Sequence, residues 1–291
     1  MRLPVLAILL ALPLAGQTTV NDQPAGQVSE QTTENLAELR AQAEQGNAVA
    51  QSKLGRWYAK GQGVPQDFAE AVKWLRKSAA QGNSHAQFNL GHCYAGGLGV
   101  PQNYVEAVKW FRKSADQGND YAQCELGRCY YNGRGIPKDY SKAAKWFRKS
   151  AEQGNGLGQE LLAICYGDGQ GVKKDFYEYG KFMKKAAEQG EGAAQFFLSQ
   201  WIGAEDYRKG MNGRYYHDPE VDPKFQGDAE SYVWDSLAAI NSYDKEVKKE
   251  SIKVCEFLAN KLPPYVLMRA QARAQQLQEE INVKRIEKTG D

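Results

Sequence analysis

The stretch that decides the fold is GLGVPQNYVEAVKWFRKSADQGN, from Gly97 to Asn119. Close copies of it run as GQGVPQDFAEAVKWLRKSAAQGN from Gly61 to Asn83, and as GRGIPKDYSKAAKWFRKSAEQGN from Gly133 to Asn155. Outward from these, the pairs Gly46-Asn47, Gly82-Asn83, Gly118-Asn119 and Gly154-Asn155 recur every 36 residues (82 minus 46, 118 minus 82), and Gly190 continues the series. Trp74, Trp110 and Trp146 keep the same interval, with Phe182 in the fourth slot. Tyr58, Tyr94, Tyr130 and Tyr166 stay in step, as do Leu54, Leu90, Leu126, Leu162 and Leu198. Self-similarity at one fixed period is the mark of a repeat architecture.

Each unit reads as two short helices. Ala86, Leu90, Gly91 and Tyr94 fall at helical spacing and form one apolar stripe. Asn83 precedes that helix as an N-cap, and the run GGLGVPQ with Pro101 stops it. The second helix opens on Asn103 with Glu106 three residues on, and Asp67 with Glu70 repeats the pattern; both predict a reciprocal capping box. Val108, Trp110, Phe111 and Ala115 give the second helix a buried side, and Gly118 ends it. Two such helices cannot bury their stripes alone, but stacked copies share one core. Small residues at Gly55, Gly91 and Gly127, and at Ala79, Ala115 and Ala151, predict close approach between helix backbones. The tryptophans Trp74, Trp110 and Trp146 are expected to fill the gaps between units. Gln87, Gln123 and Gln159, with Gln51 and Gln195, recur without exception and are expected to hydrogen-bond a neighbouring backbone.

The combined pattern A-x-A-Q-x-x-L-G-x-x-Y, G-x-G-V-P and A-x-x-W-x-x-K-A-A-x-Q-G-N resembles the Sel1-like repeat, a branch of the tetratricopeptide-like solenoids. The resemblance runs from Gly46 to Gln189 and weakens on both sides. It implies an all-α fold, a right-handed α/α superhelix with helical caps. It also implies a non-catalytic adaptor or scaffold, since members are mostly of that kind and in bacteria often exported. A cysteine-rich branch of the family staples its repeats with disulfides and is credited with β-lactam hydrolysis. The phases that carry its cysteines hold Ala79, Ala115 and Ala151, and Gln87, Gln123 and Gln159, so neither property transfers to a matching residue here.

The expected organisation follows from these phases. Residues 1–16, beginning MRLPVLAILLALPLAG, form a signal peptide, with an apolar run too short to span a bilayer. A polar leader covers 17–32, and a lone capping helix 33–45, where Glu38 replaces the tryptophan. Four repeats occupy 46–81, 82–117, 118–153 and 154–189. A degenerate fifth unit covers 191–242 with a 16-residue insertion, because Trp234 stands where the period predicts 218 (234 minus 218). Capping helices complete 243–291. The expected location is secreted or periplasmic.

Composition narrows the function. The 291 residues are 42% apolar and 25% charged, with a net charge of +2, so the whole chain gives no reason to expect nucleic acid. The Gly-rich loops lack the third Gly of a dinucleotide fingerprint and follow helices, and there is no zinc spacing, H-E-x-x-H or G-x-S-x-G. No cofactor, metal or catalytic residue is expected. Cys93, Cys129 and Cys165 share one phase, and equivalent points on stacked repeats lie about 8–10 Å apart, beyond the reach of about 7 Å that a disulfide allows. They read as buried thiols, with Cys124 and Cys255 besides. In the insertion, His217, Asp218, Glu220 and Asp222 gather near Tyr215 and Tyr216 and read as a polar loop rather than a metal site.

The residues that break the repetition carry the functional expectation. In tetratricopeptide-like arrays the ligand groove is lined by first-helix residues beside the buried stripe. Those phases hold Val49, His85, Tyr121 and Leu157; Ser52, Phe88, Cys124 and Glu160; and Arg56, His92, Arg128 and Ile164. Phe88, His85, His92, Tyr121, Arg128, Arg56 and Tyr131 are therefore the expected contacts for a partner protein or peptide. Two other classes compete. One is a cell-wall- or β-lactam-directed protein. The other binds an anionic envelope polymer along the basic stripe Lys73-Arg76-Lys77, Lys109-Arg112-Lys113, Lys145-Arg148-Lys149 and Lys181-Lys184-Lys185.

Overall fold

The computed structural model describes residues 30–202 and 226–289. The expected signal peptide, most of the leader and the insertion with His217 and its neighbours lie outside the described residues. The helices in chain order are α1 (Glu30–Glu44), α2 (Ala48–Lys60), α3 (Phe68–Ala80), α4 (Ser84–Gly96), α5 (Tyr104–Asp116), α6 (Asp120–Asn132) and α7 (Tyr140–Glu152). They continue as α8 (Gly156–Asp168), α9 (Phe176–Ala187), α10 (Gly192–Ile202), α11 (Gln226–Asn241), α12 (Lys245–Lys261) and α13 (Pro264–Thr289). Among the described residues every regular element is a helix. The chain divides into two compact units after Ser150.

In the first unit, the local chemistry repeats as the sequence does. Asn47, Asn83 and Asn119 cap α2, α4 and α6, each side chain accepting from the N–H three residues on, at 3.0, 2.9 and 2.8 Å. The same helices end on Gly61, Gly97 and Gly133 at φ near +70, where an L side chain would be strained. Asp67 and Asn103 cap α3 and α5, but the expected reciprocal box does not form. The Asn103 N–H donates instead to the Tyr94 carbonyl at 2.8 Å, and the Asp67 N–H to that of Tyr58 at 2.9 Å. With those donors already satisfied, Glu70 and Glu106 turn outward to Lys73 and Lys109.

Leu54, Leu90 and Leu126 are fully buried and define the apolar seam. Trp74 packs on the cluster of Leu36, Leu39, Ala43, Ala50, Leu54 and Val64. Trp110 packs in the same way on Val72, Leu75, Ala79, Ala86, Leu90 and Cys93. Both rings stay partly open to water on their other face. The small residues work differently from the expectation. A Cβ on Gly91 or Gly127 would stand 2.6 Å from the ring of Phe111 or Phe147, so these glycines make room for an aromatic ring, and Gly127 also for the Ala143 carbonyl. Gly99, at φ +69, lies so close to the preceding unit that a Cβ would overlap the Phe68 carbonyl oxygen at the start of α3.

Three hydrogen-bonding devices tie helices together at a fixed register. Gln51 Nε2 donates to the Ala43 carbonyl at 2.9 Å while its Oε1 accepts from Gln81 at 2.8 Å. Gln87 does the same between Ala79 and Gln117, at 3.3 and 2.7 Å. Ser78, Ser114 and Ser150 donate to the carbonyls of Ala48, Ser84 and Asp120 at 2.6, 2.8 and 2.8 Å. Arg40, Arg76 and Arg112 donate to the hydroxyls of Tyr58, Tyr94 and Tyr130 in the following helix pair. Removing one partner of the buried bonds from Gln51 and Gln87 to their backbone carbonyls costs about 1–3 kcal/mol.

The second unit uses the same parts. Gln159 bonds the Ala151 carbonyl and accepts from Gln189 at 2.6 Å, and Gln195 bonds the Ala187 carbonyl at 2.9 Å. Asn241 then takes the role of the next glutamine, donating to Gln195 Oε1 at 3.2 Å, from a position 16 residues past that phase (241 minus 225). Arg285 on α13 donates to Asn241 and to the Gly190 carbonyl, docking the last helix. Asp235 on α11 is 0% exposed; Ser199 donates to its Oδ1 at 2.9 Å, while Oδ2 has no partner among the described residues. Burial, against the hydrogen bonds from Ser199 and Ser231, pushes this carboxyl up to about 7.

Two outcomes follow. Gly99→Ala meets both a strained backbone and the Phe68 carbonyl and should cost about 2–4 kcal/mol, whereas Gly118→Ala, equally left-handed but with open space around it, should cost only about 1 kcal/mol. Equal losses of urea stability would contradict the close approach. For Asp235, a carboxyl raised in the folded state favours the fold below the unfolded value near 4, and that contribution disappears as pH rises to about 7. Asp235→Asn should therefore gain stability over the parent between pH 4 and 8, by on the order of 2–4 kcal/mol, with no further change above; a pH-independent difference would contradict the burial.

Candidate partner groove on the first helices

The exposed face of the first helices in residues 30–150 holds five of the seven expected contacts. Phe88 sits at its centre on α4. Its ring meets His92 edge-on, with centroids 4.5 Å apart, and approaches Tyr121 of α6 at 6.0 Å. His92 in turn rests on Phe111 at 5.2 Å, which ties the surface rings to the buried core. Tyr121 is 59% exposed with its ring beside that of Phe88. Beside it, exposed His85 places Nδ1 3.4 Å from Asn119 Nδ2, so the cap amide donates to the imidazole. Five of the seven expected residues thus share this face as open or half-open side chains: Arg56, His85, Phe88, His92 and Tyr121.

The other two lie deeper. Arg128 Nη1 donates to Glu125 Oε1 at 2.9 Å, with the two side chains only 11% and 8% exposed. Its guanidinium is spent on a neighbour one helical turn away. Glu125 escaped the sequence reading, although an acid three residues before an arginine on one helix face was a usable signal. Tyr131 is 3% exposed and packs on Tyr140 at 4.9 Å and Phe147 at 6.3 Å of α7. It is a core residue, and its expected role as a contact is corrected accordingly: its ring turns toward the second helix.

The basic stripe is likewise engaged. Lys73, Lys109 and Lys181 pair with Glu70, Glu106 and Glu178. Lys77, Lys113 and Lys149 cover Trp74, Trp110 and Trp146 at 4.2, 4.4 and 4.3 Å. Arg76 and Arg112 hold tyrosine hydroxyls. The charges act as lids on half-open rings.

No chemistry of the thiol kind is arranged. The five cysteines are free; burial pushes Cys93 up to about 11 and Cys129 and Cys165 up to about 12, far from the thiolate form at neutral pH. Among the described residues no group of three His, Cys, Asp or Glu side chains could hold a metal ion. No described helix is long and apolar enough to cross a membrane.

Paired helices, repeated with their caps and staples, define an all-α solenoid of the tetratricopeptide-like kind. The Sel1 repeat model matches residues 48–83, 84–119, 120–155 and 156–191. A crystal structure of a Sel1 repeat protein from Oxalobacter formigenes is 33% identical, with a TM-score of 0.60, covering 74% of this chain and 82% of that one. The chain belongs to the Sel1 repeat family. It is also similar to a protective antigen of uropathogenic Escherichia coli with an SLR fold, at 27% identity and TM-score 0.43, covering 87% of this chain and 65% of that one. A Sel1 repeat protein from Klebsiella pneumoniae matches at 18% identity and TM-score 0.48, covering 75% of this chain and 98% of that one. No curated protein matches the chain. Proteins of this family generally mediate protein–protein interaction and are generally non-catalytic.

The division between face and core has a direct check. Tyr131→Ala should cost about 3–5 kcal/mol by opening a cavity against Tyr140 and Phe147, while Tyr121→Ala should stay within about 0.5 kcal/mol. Denaturant titrations of the two variants would expose an inverted assignment at once.

Proposed function

We propose that the chain is an exported, non-catalytic scaffold that holds a partner protein or peptide on the first-helix face around Phe88, His92 and Tyr121. The observation that carries this is a ring cluster left open to water: Tyr121 stays 59% exposed beside a half-buried Phe88 that the core supports from below. Internal packing does not need these rings on the surface, and an anchored aromatic pair is the usual centre of a contact surface. His85 and Arg56 flank it with polar groups that orient a bound chain. Export is supported by the sequence of residues 1–16, an arginine followed by a short apolar run and small residues. The adaptor roles general to the family support the same reading.

The test is a pull-down with the full chain expressed in a bacterial envelope, read by mass spectrometry together with the N-terminus of the mature protein. Phe88→Ala combined with Tyr121→Ala should keep the parent's helicity and lose its specific partner, and sequencing should begin near residue 17. Retention of the same partner by the double variant would end the groove assignment, and an intact Met1 in the cytoplasm would end the export.

A further inference from the structure

The groove has a charge gradient that names the chemistry of its partner. Helix α2, AVAQSKLGRWYAK, carries Lys53, Arg56 and Lys60 and not one acidic residue. All three cations are exposed. Arg56 lies three residues after Lys53 and four before Lys60, so the three line one side of the helix. Lys53 leans toward the Trp57 ring at 5.8 Å. Arg56 and Lys60 have no ion pair, hydrogen bond or ring contact among the described residues.

That is unusual within this unit. Of its other described arginines, Arg40, Arg76 and Arg112 hold tyrosine hydroxyls, Arg128 holds Glu125, Arg134 covers Tyr104 and Arg148 is engaged as well. Elsewhere among the described residues of this unit each guanidinium has an internal partner; on α2 one is exposed without one. Arg56 occupies the phase of His92, one repeat away, and His92 is the imidazole that touches Phe88. The unpaired guanidinium therefore borders the open rings, about 8–10 Å along the stack.

Resting on the groove reading above, we infer that the partner segment is an acidic peptide: an Asp or Glu carboxylate pairs with Arg56, with Lys53 and Lys60 adding field, and a neighbouring apolar side chain seats on Phe88 and Tyr121. A planar guanidinium takes a carboxylate in a two-point contact that lysine cannot reproduce. The three α2 cations draw an acidic chain to that end of the face, and the uncharged rings beyond them receive its apolar part, so the segment binds in one direction.

The test pans the immobilised full chain against a random dodecapeptide library displayed on phage, with single-stranded oligonucleotides as a second probe. Enriched peptides should pair Asp or Glu with an aromatic or large aliphatic residue. A chosen peptide should bind about tenfold or more weakly to Arg56→Glu, recover when its own acid is changed to Lys, and lose binding to Tyr121→Ala. Peptides that need Tyr121 but show no acidic enrichment and ignore Arg56→Glu overturn this inference and leave the groove standing. Peptides indifferent to both variants, or no enrichment over a bare surface, overturn the groove too. Capture of the oligonucleotides alone, abolished in Arg56→Glu, overturns the assignment to a peptide.

Discussion

A buried primary amide at each junction between helix pairs is the constraint on which the rest depends. Gln51, Gln87, Gln123, Gln159 and Gln195 are all nearly or fully buried. A carboxamide taken out of water must place its donors and its acceptor on partners or lose about 1–3 kcal/mol. Gln87 does so only if the Ala79 carbonyl lies before it and the Gln117 amide beside it. A slip of one turn, about 5.4 Å, would orphan both ends. Leucine stripes tolerate such a slip far better, because an apolar contact has no direction. Hydrophobic burial thus supplies the attraction between pairs, and the glutamines, with Ser78, Ser114 and Ser150, decide where attraction stops.

The distribution of charge follows from the same register. Once the second helices are placed, Lys77, Lys113 and Lys149 stand over partly open tryptophans, of which Trp74 and Trp110 pack on the core beneath. A lysine stem lies along apolar surface while its ammonium meets both the ring and the solvent. The stripe that looks like a polyanion site in one dimension is a row of lids in three. The first helices carry fewer such lids (Lys53 over Trp57 is one), and Arg56, with no partner among the described residues, and the exposed Tyr121 stand there.

The all-α repeat fold was legible because its signals are local. Asn-led starts, left-handed glycine stops and leucine spacing act within one helix and its turn. The misreadings arose where a tertiary partner outbid a local one. Asn103 followed by Glu106 reads as a box, yet the Tyr94 carbonyl arrives from the previous helix and takes the cap N–H first. Tyr131 shares a helix with Tyr121, but Tyr140 and Phe147 on the next helix claim its ring. Gly99 looked like a turn former alone, and its second reason, the Phe68 carbonyl, belongs to another unit of the repeat. Asp235 is written among ordinary helical polar residues, and only its complete burial in the fold, with Ser199 of another helix donating to it, sets its carboxyl apart.

Within the candidate site, variation between the repeats marks the positions that the architecture leaves unfixed, and helix geometry explains why. On a helix turning about 100° per residue, Val49 and Gln51 point some 200° apart, as do His85 and Gln87, and Tyr121 and Gln123. Gln51 and Gln87 are each fixed by two hydrogen bonds, and Gln123 donates to the Ala115 carbonyl in the same way. The outer member is exposed, and Val, His and Tyr all occupy that phase in the same fold. One thirteen-residue helix therefore carries an invariant edge that builds the stack and a free edge that can differ in every copy. A stack of such helices presents a face whose chemistry is set residue by residue, cationic on α2, imidazole and phenyl on α4, phenolic on α6, without altering the register that holds it in place.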